Sequence, residues 1–236
     1  MNLSQLLEDH AETRGAVTAI IEGTSQLTFA ELRDRARAMS EHLRTLGLSP
    51  GSKAVVFVPM SIDLYVVLLG LWHLGAVPVF VDPAMGRPQI EAAITLAEPD
   101  LFIAIRKAHW FRLISSPIRK IPRHLVSGSR RLSRALDAAD VSREPAVLDS
   151  EAPGLLTFTS GTTGAPKGNL RSHGFLLAQH RALHEVLALG PSDVDMPALP
   201  IFLLNTLASG TTAVIPPIGK RVADIDGAAF YRTLVE

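Results

Sequence analysis

The chain has 236 residues, 47% hydrophobic and 19% charged, which is enough apolar material for a sizeable core and unlike a disordered chain. Its 23 acids offset its 23 bases, so no whole-molecule field draws it to nucleic acid or to an anionic membrane. The absence of cysteine excludes a disulfide framework, a thiolate metal site and a catalytic thiol, and suits a reducing compartment.

The opening "MNLSQLLEDHAETRG" is acidic and has no basic segment followed by an apolar one, so it does not read as a secretory signal, and a cytoplasmic location is expected. The first helix is predicted over Leu27 to Leu46. Thr28 and Glu31 have capping-box spacing, Leu32, Ala36, Met39, Leu43 and Leu46 recur at helical spacing, and Gly47 is a stop. "AVVFV" (Ala54 to Val58) is a β-branched run without alternation, as in a strand covered on both faces. The charge-free stretch Leu64 to Val81 just reaches the length of a membrane span. Gly75 and Pro78 divide it instead into a buried helix from Ile62 and a strand at Val77 to Val81. A helix at Arg87 to Ala97, with Pro88 in its first turn, and a strand at Leu101 to Ile105 follow. Strand and helix alternating at this spacing predict the α/β class, with largely parallel sheets flanked by helices.

Residues Arg106 to Arg134 hold nine lysines or arginines and few acids, with breaks at Pro117, Pro122 and Gly128. They read as a solvated cover helix and loop. That is the preferred reading, and the alternative, with Trp110 and Phe111, is a surface for an acidic partner, lipid headgroups or an anionic part of a substrate. The acidic "DSEAPG" (Asp149 to Gly154) marks a boundary, predicting a first α/β subdomain over 1–150 and the start of a second over 151–236.

"TFTSGTTGAPKG" (Thr157 to Gly168) carries the most chemistry. A strand, "LLTFT", leads into it and a helix is predicted at Phe175 to Leu189, which puts the loop at a strand's carboxyl end, where open α/β sheets bind ligands. Gly161, Gly164 and Gly168 allow tight backbone turns that aim N–H groups at one point. Thr159, Ser160, Thr162 and Thr163 add hydroxyls, and Lys167 adds a mobile charge. Together these suit phosphate, although composition alone also describes a flexible linker. The Walker loop does not fit, because Pro166 stands where its second glycine belongs and Gly168 where its hydroxyl belongs. His180 and His184 stand one helical turn apart, but no carboxylate or cysteine completes a ligand set, and no structural zinc is expected. No nucleic-acid motif is present.

The order of residues in "TFTSGTTGAPKG" strongly resembles the phosphate-loop signature of the adenylate-forming superfamily, which includes acyl-CoA synthetases, nonribosomal peptide synthetase adenylation domains and luciferases. "LTFAEL" (Leu27 to Leu32), "GLWHLGAVPVFVDP" (Gly70 to Pro83) and "LPIFLLNTLASG" (Leu199 to Gly210) resemble further family segments, in family order. The resemblance implies an enzyme that uses ATP and Mg2+ to convert a carboxylic acid to an acyl-adenylate and pyrophosphate. Thr159, Ser160, Gly161, Thr162, Thr163, Gly164 and Lys167 would hold the β- and γ-phosphates, with Lys167 catalytic, and Phe202, Leu203 and Asn205 would line the acyl pocket. His173 stands where the family commonly has histidine.

Many acyl-CoA ligases carry Pro-x-Phe-His where this chain has Pro200 to Leu203, so the histidine beside the acyl group is replaced by Leu203. The segment looks closest to the branch acting on long-chain fatty or β-hydroxy acids, including olefin-pathway β-lactone synthetases, with transfer to CoA or intramolecular lactonisation. Phe202, Leu203 and Leu204 also read as ordinary core. The family's later aromatic-Gly-x-Thr-Glu motif, ribose aspartate and lid-domain lysine are not found before Glu236. The expectation is the front part of such an enzyme, without the C-terminal lid and inactive until joined by the missing part or a complementary chain. A non-catalytic nucleotide-binding or interaction module and a lipid-surface protein are the alternatives.

Overall fold

A computed structural model describes residues 2–82, 84–160, 165–197, 199 and 202–217. It opens with a helix, α1 (Gln5–Arg14), and two antiparallel strands, β1 (Thr18–Glu22) and β2 (Ser25–Thr28), ahead of the first predicted helix. Leu3, Leu7 and Ala11 are buried at four-residue spacing. So narrow an apolar stripe among polar residues is a weak helical signal.

The predicted alternation follows. α2 (Phe29–Thr45) begins at Thr28, whose Oγ1 accepts from the Glu31 N–H at 3.2 Å while Glu31 Oε2 accepts from the Thr28 N–H at 2.8 Å. Next come β3 (Lys53–Phe57), α3 (Ile62–Leu74), β4 (Val77–Val81), α4 (Arg87–Ala97) and β5 (Leu101–Ile105). α3 is capped by the Ser61 side chain and stops at Gly75, whose left-handed φ of 82° suits a residue without a Cβ. Every residue from Leu64 to Leu74 is buried, so the charge-free run is a core helix and the strand after it. Among the described residues no helix is long and apolar enough to cross a membrane.

The basic stretch is more structured than a cover helix and loop. A 3-10 turn (Ala108–Trp110) runs into α5 (Phe111–Ile114) and α6 (Ser116–Lys120), then β6 (Arg123–Ser127) and α7 (Arg130–Asp137). β6 pairs in parallel with β5 from Leu101↔Arg123 to Ile105↔Ser127. As an edge strand it needs little apolar sequence, so "RHLVS" gives a poor strand signal.

The remaining elements are β7 (Pro153–Ser160), β8 (Pro166–Ser172), α8 (His173–Leu187), β9 (Val194–Asp195), α9 (Leu203–Ala208) and β10 (Thr212–Val214). One sheet has the order β6-β5-β3-β4-β7-β8, parallel except for β8. The other has the order β2-β1-β10-β9. The segment near residue 150 therefore lies between strands of one sheet, since β7 pairs with β4 from Val79↔Leu156 to Val81↔Phe158. β9 and β10 join instead the sheet begun by β1 and β2.

The core forms two clusters. The larger one joins α1, α2 and α3 to one face of the long sheet, and the smaller packs α4 and Ile118 on its other face. α2 and α3 approach closely at Gly70, where a Cβ would stand 2.5 Å from Met39 Cγ and 3.1 Å from the Ala36 carbonyl oxygen.

Candidate functional site

β7 and β8 are antiparallel, with Thr159 opposite Lys167 and Thr157 opposite Asn169. Side chains alternate across a strand, so Thr157, Thr159, Lys167, Asn169 and Arg171 share one face of the pair. Arg171 Nη1 donates to Thr157 Oγ1 at 2.9 Å, which ties the strands together on that face. Lys167 is exposed and has no ion-pair partner among the described residues. Thr159 and Lys167 thus stand at the carboxyl end of β7, beside the end of β4, while Asn169 and Arg171 continue the polar row back toward the start of β7. The described β7 and β8 residues on this face carry no carboxylate, while Glu151 lines the adjoining concavity with Asn169 and Arg171, so the Thr159–Lys167 end is the part suited to a polyanion.

Two expectations are corrected. The loop does not lead directly into a helix: it joins antiparallel strands, and α8 begins at His173 after β8. "PKGNLRS" carries little strand propensity because β8 is an edge with polar residues facing water. Gly168 lies within β8 opposite Phe158, and a Cβ there would meet the Phe158 ring at 3.1 Å. Its missing side chain makes room for a core aromatic, outside any phosphate turn.

Ser160 ends β7 opposite Pro166. Its side chain, and all of Gly161, Thr162, Thr163 and Gly164, lie outside the described residues. Thr157, Asn169 and Arg171 were not anticipated as companions of Thr159 and Lys167. Their two-residue spacing on flanking strands was the available signal, and it becomes useful only once β8 is known to be a strand. Beside them a concavity of about 590 Å³ is lined in part by Asn169, Arg171, Ser172 and Phe175.

His173 is fully buried and its Nδ1 accepts from the Leu3 N–H at 3.1 Å. Burial, with a smaller contribution from the charged amino terminus, pushes its pKa down to about 4, so it is neutral at pH 7. It fastens the N-terminal segment to the start of α8. The Nδ1 of His180 and the Oδ1 of Asn205 are 3.1 Å apart, and burial also lowers the His180 pKa. Asn205 is buried in the contact between α8 and α9, whereas Phe202 is 42% exposed. The backbone of Leu203 belongs to α9, while its side chain lies outside the described part. Phe202 is therefore not a core residue, and Asn205 turns toward α8. Among the described residues no group of three histidines, cysteines or carboxylates could hold a metal ion.

The model of the AMP-binding enzyme family matches residues 7–233. The olefin β-lactone synthetase of Stenotrophomonas maltophilia (strain K279a) is 34% identical over 213 residues, covering 86% of this chain and 38% of that protein. The olefin β-lactone synthetase of Xanthomonas campestris pv. campestris is 32% identical over 197 residues, covering 80% and 35%. The chain thus spans little more than a third of these relatives. The crystal structure of the anthranilate CoA ligase AuaEII with anthranoyl-AMP superposes with a TM-score of 0.85 at 22% identity, over 94% of this chain and 45% of that one. A benzoate CoA ligase from Burkholderia xenovorans LB400 gives 0.84 at 22% identity, over 100% and 48%. These two structures establish likeness of fold. With the family match running almost from end to end, the chain belongs to the AMP-binding enzyme family and has the fold of the N-terminal part of an adenylate-forming enzyme.

Proposed function

We propose that this chain is the phosphate-binding front portion of an ATP-dependent acid ligase, acting in the cytoplasm on a fatty or β-hydroxy fatty acid. The observation that carries the reading is the cross-strand pairing of Thr159 with Lys167, which is exposed and has no ion-pair partner among the described residues. A carboxylate is a poor electrophile, and adenylation gives its carbon a leaving group. The reaction needs the departing pyrophosphate held while its charge grows. Lys167 supplies a mobile ammonium for the β- and γ-oxygens, the Thr159 hydroxyl donates beside it, and the Arg171–Thr157 bond keeps the strands in register. Ser160, Gly161, Thr162, Thr163 and Gly164 complete the cradle in this reading. Magnesium, when bound with the nucleotide, would neutralise further phosphate charge.

The acid is chosen on two grounds: Leu203 replaces a polar histidine, and the chain is similar to proteins named as olefin β-lactone synthetases. The exposed Phe202 ring offers apolar surface to an alkyl chain, with Leu203 and Asn205 further along α9. The acyl group then passes to CoA or closes on its own β-hydroxyl.

Acid-dependent ATP–pyrophosphate exchange tests the reading. The 236-residue chain alone is expected to show little or none, whereas the chain joined to the remaining portion of the Stenotrophomonas relative should exchange best with β-hydroxy fatty acids. Robust exchange by the chain alone, or a joined protein that favours aromatic acids, would contradict it. ATP binding without exchange under any acid would favour a non-catalytic module.

A further inference from the structure

We propose that the helical run 107–114 together with α6 forms a surface that docks on an anionic membrane. Lys107, Trp110 and Phe111 all have right-handed helical backbone, so the 3-10 turn and α5 form one short rod. Trp110, Leu113 and Ile114 are 71%, 66% and 55% exposed, and their spacing of three and four residues puts them on one side. Lys107 falls one turn before Trp110 on that same side and is also exposed, and the exposed Arg106 precedes it beside the β6–α7 turn. The opposite side holds the rod in place. Phe111 packs edge-on to Phe57, His109 packs edge-on to Phe102, and the His109 Nε2 lies 3.1 Å from the Leu125 carbonyl oxygen. The aromatic pair at 110 and 111 is thus split, with Phe111 inward and Trp110 outward.

After Ser115, α6 adds Arg119 and Lys120, both exposed, while Ile118 anchors the helix in the smaller core cluster. The facing helix α4 contributes Arg87, which pairs with Glu91 at 2.8 Å and donates to the Ile114 carbonyl. Glu91 is therefore already engaged. Arg106, Lys107, Arg119 and Lys120 have no ion-pair partner among the described residues, and no acid occurs between Arg106 and Arg134. A solvated charged helix face normally mixes signs, and this one does not. A tryptophan and two aliphatic side chains standing clear of the fold, bordered by unneutralised cations, form an interfacial amphipathic surface. The apolar group enters the headgroup boundary and the cations meet anionic lipid. Nucleic acid offers no environment for Leu113 and Ile114. The surface takes no part in the phosphate face, so it holds or fails independently of the proposed reaction.

Sedimentation of the full chain with sucrose-loaded vesicles tests the proposal. Binding is expected to phosphatidylcholine vesicles containing roughly one-third phosphatidylglycerol, not to phosphatidylcholine alone, and to fall as salt shortens the screening length from about 10 Å at 0.1 M. Trp110 emission should shift to the blue on binding, while Trp72 is already buried. With about 1 kcal/mol per interfacial cation, or roughly fivefold in affinity, Arg119→Glu with Lys120→Glu should weaken binding by about 30-fold or more. Leu113→Asp should weaken it at unchanged thermal stability, since the residue is exposed. No binding to anionic vesicles would overturn the proposal. So would equal binding by both variants, or displacement by millimolar inorganic phosphate, which would indicate a free-anion site. Selective binding to an oligonucleotide or an acidic peptide in place of vesicles would also overturn it.

Discussion

Arg37→Met should be among the most damaging single substitutions away from the phosphate face. Glu8 on α1 is 3% exposed, and the Arg37 guanidinium meets its carboxylate at 2.7, 3.0 and 3.2 Å, while also donating to the Val141 carbonyl at 3.0 Å. Removing the cation leaves a desolvated carboxylate, at a cost of about 3–5 kcal/mol. At roughly 2–4 °C per kcal/mol for a chain of this size, the melting temperature should fall by ~6–20 °C. Nearby, His73 Nε2 lies 3.9 Å from Glu8 Oε1. Burial first, and then the like charge of Arg37, push the His73 pKa down to about 4. Without Arg37 that repulsion is gone, so His73 can take a proton and partly replace the lost cation. The deficit of Arg37→Met relative to the parent, measured by urea unfolding, should therefore be smaller at pH 5.5 than at pH 8. Glu8→Leu with Arg37→Met should recover most of the loss, because no lone charge remains. A single-variant loss below about 1 kcal/mol, or a double variant no better than the single, would refute the reasoning.

Gly70→Ala should cost about 1–3 kcal/mol in urea unfolding, since the new Cβ would press on Met39 and the Ala36 carbonyl, and Met39→Ala should relieve much of it. Tyr65→Phe should act in the opposite direction. The Tyr65 hydroxyl is buried without a hydrogen-bond partner among the described residues, so deleting it should stabilise the fold by about 1 kcal/mol, and a loss of that size would show that the hydroxyl is satisfied. His73 and His173 have folded pKa values lowered to about 4 from an ordinary 6.5. Their contribution is complete above pH 6.5 and is lost as pH falls toward 4, by up to about 3 kcal/mol each. His173→Asn keeps an acceptor for the Leu3 N–H but cannot titrate, so its stability should fall less steeply over that window.

The α/β alternation from Thr28 to Ile105 was legible because each element announces itself locally. Thr28 with Glu31 caps α2, Gly75 closes α3, and the apolar runs at β3, β4 and β5 are buried on both faces. What was hidden depends on distant partners. β6 and β8 are edge strands with polar sequence, and β1 finds its parallel neighbour β10 almost the whole chain away. β7 pairs with β4 in the sheet that also holds β3, a long-range partnership that the composition near residue 150 does not reveal. At the site, residue types pointed to Thr159 and Lys167, but only the β7–β8 register aligns them with Thr157, Asn169 and Arg171. His173 was noted only as standing where the family commonly has histidine, and its Nδ1 accepts from the Leu3 N–H, a partner 170 residues away.

The most direct test of the phosphate-binding claim is calorimetric titration of the chain with magnesium tripolyphosphate, which requires neither the adenine motif nor an acid. The parent should bind. Lys167→Ala should weaken binding at least about tenfold, as expected for a charge-assisted contact worth 1.5 kcal/mol or more, and Thr159→Val should weaken it less, with stability unchanged in both. Absence of binding by the parent, or equal affinity in Lys167→Ala, would contradict the account.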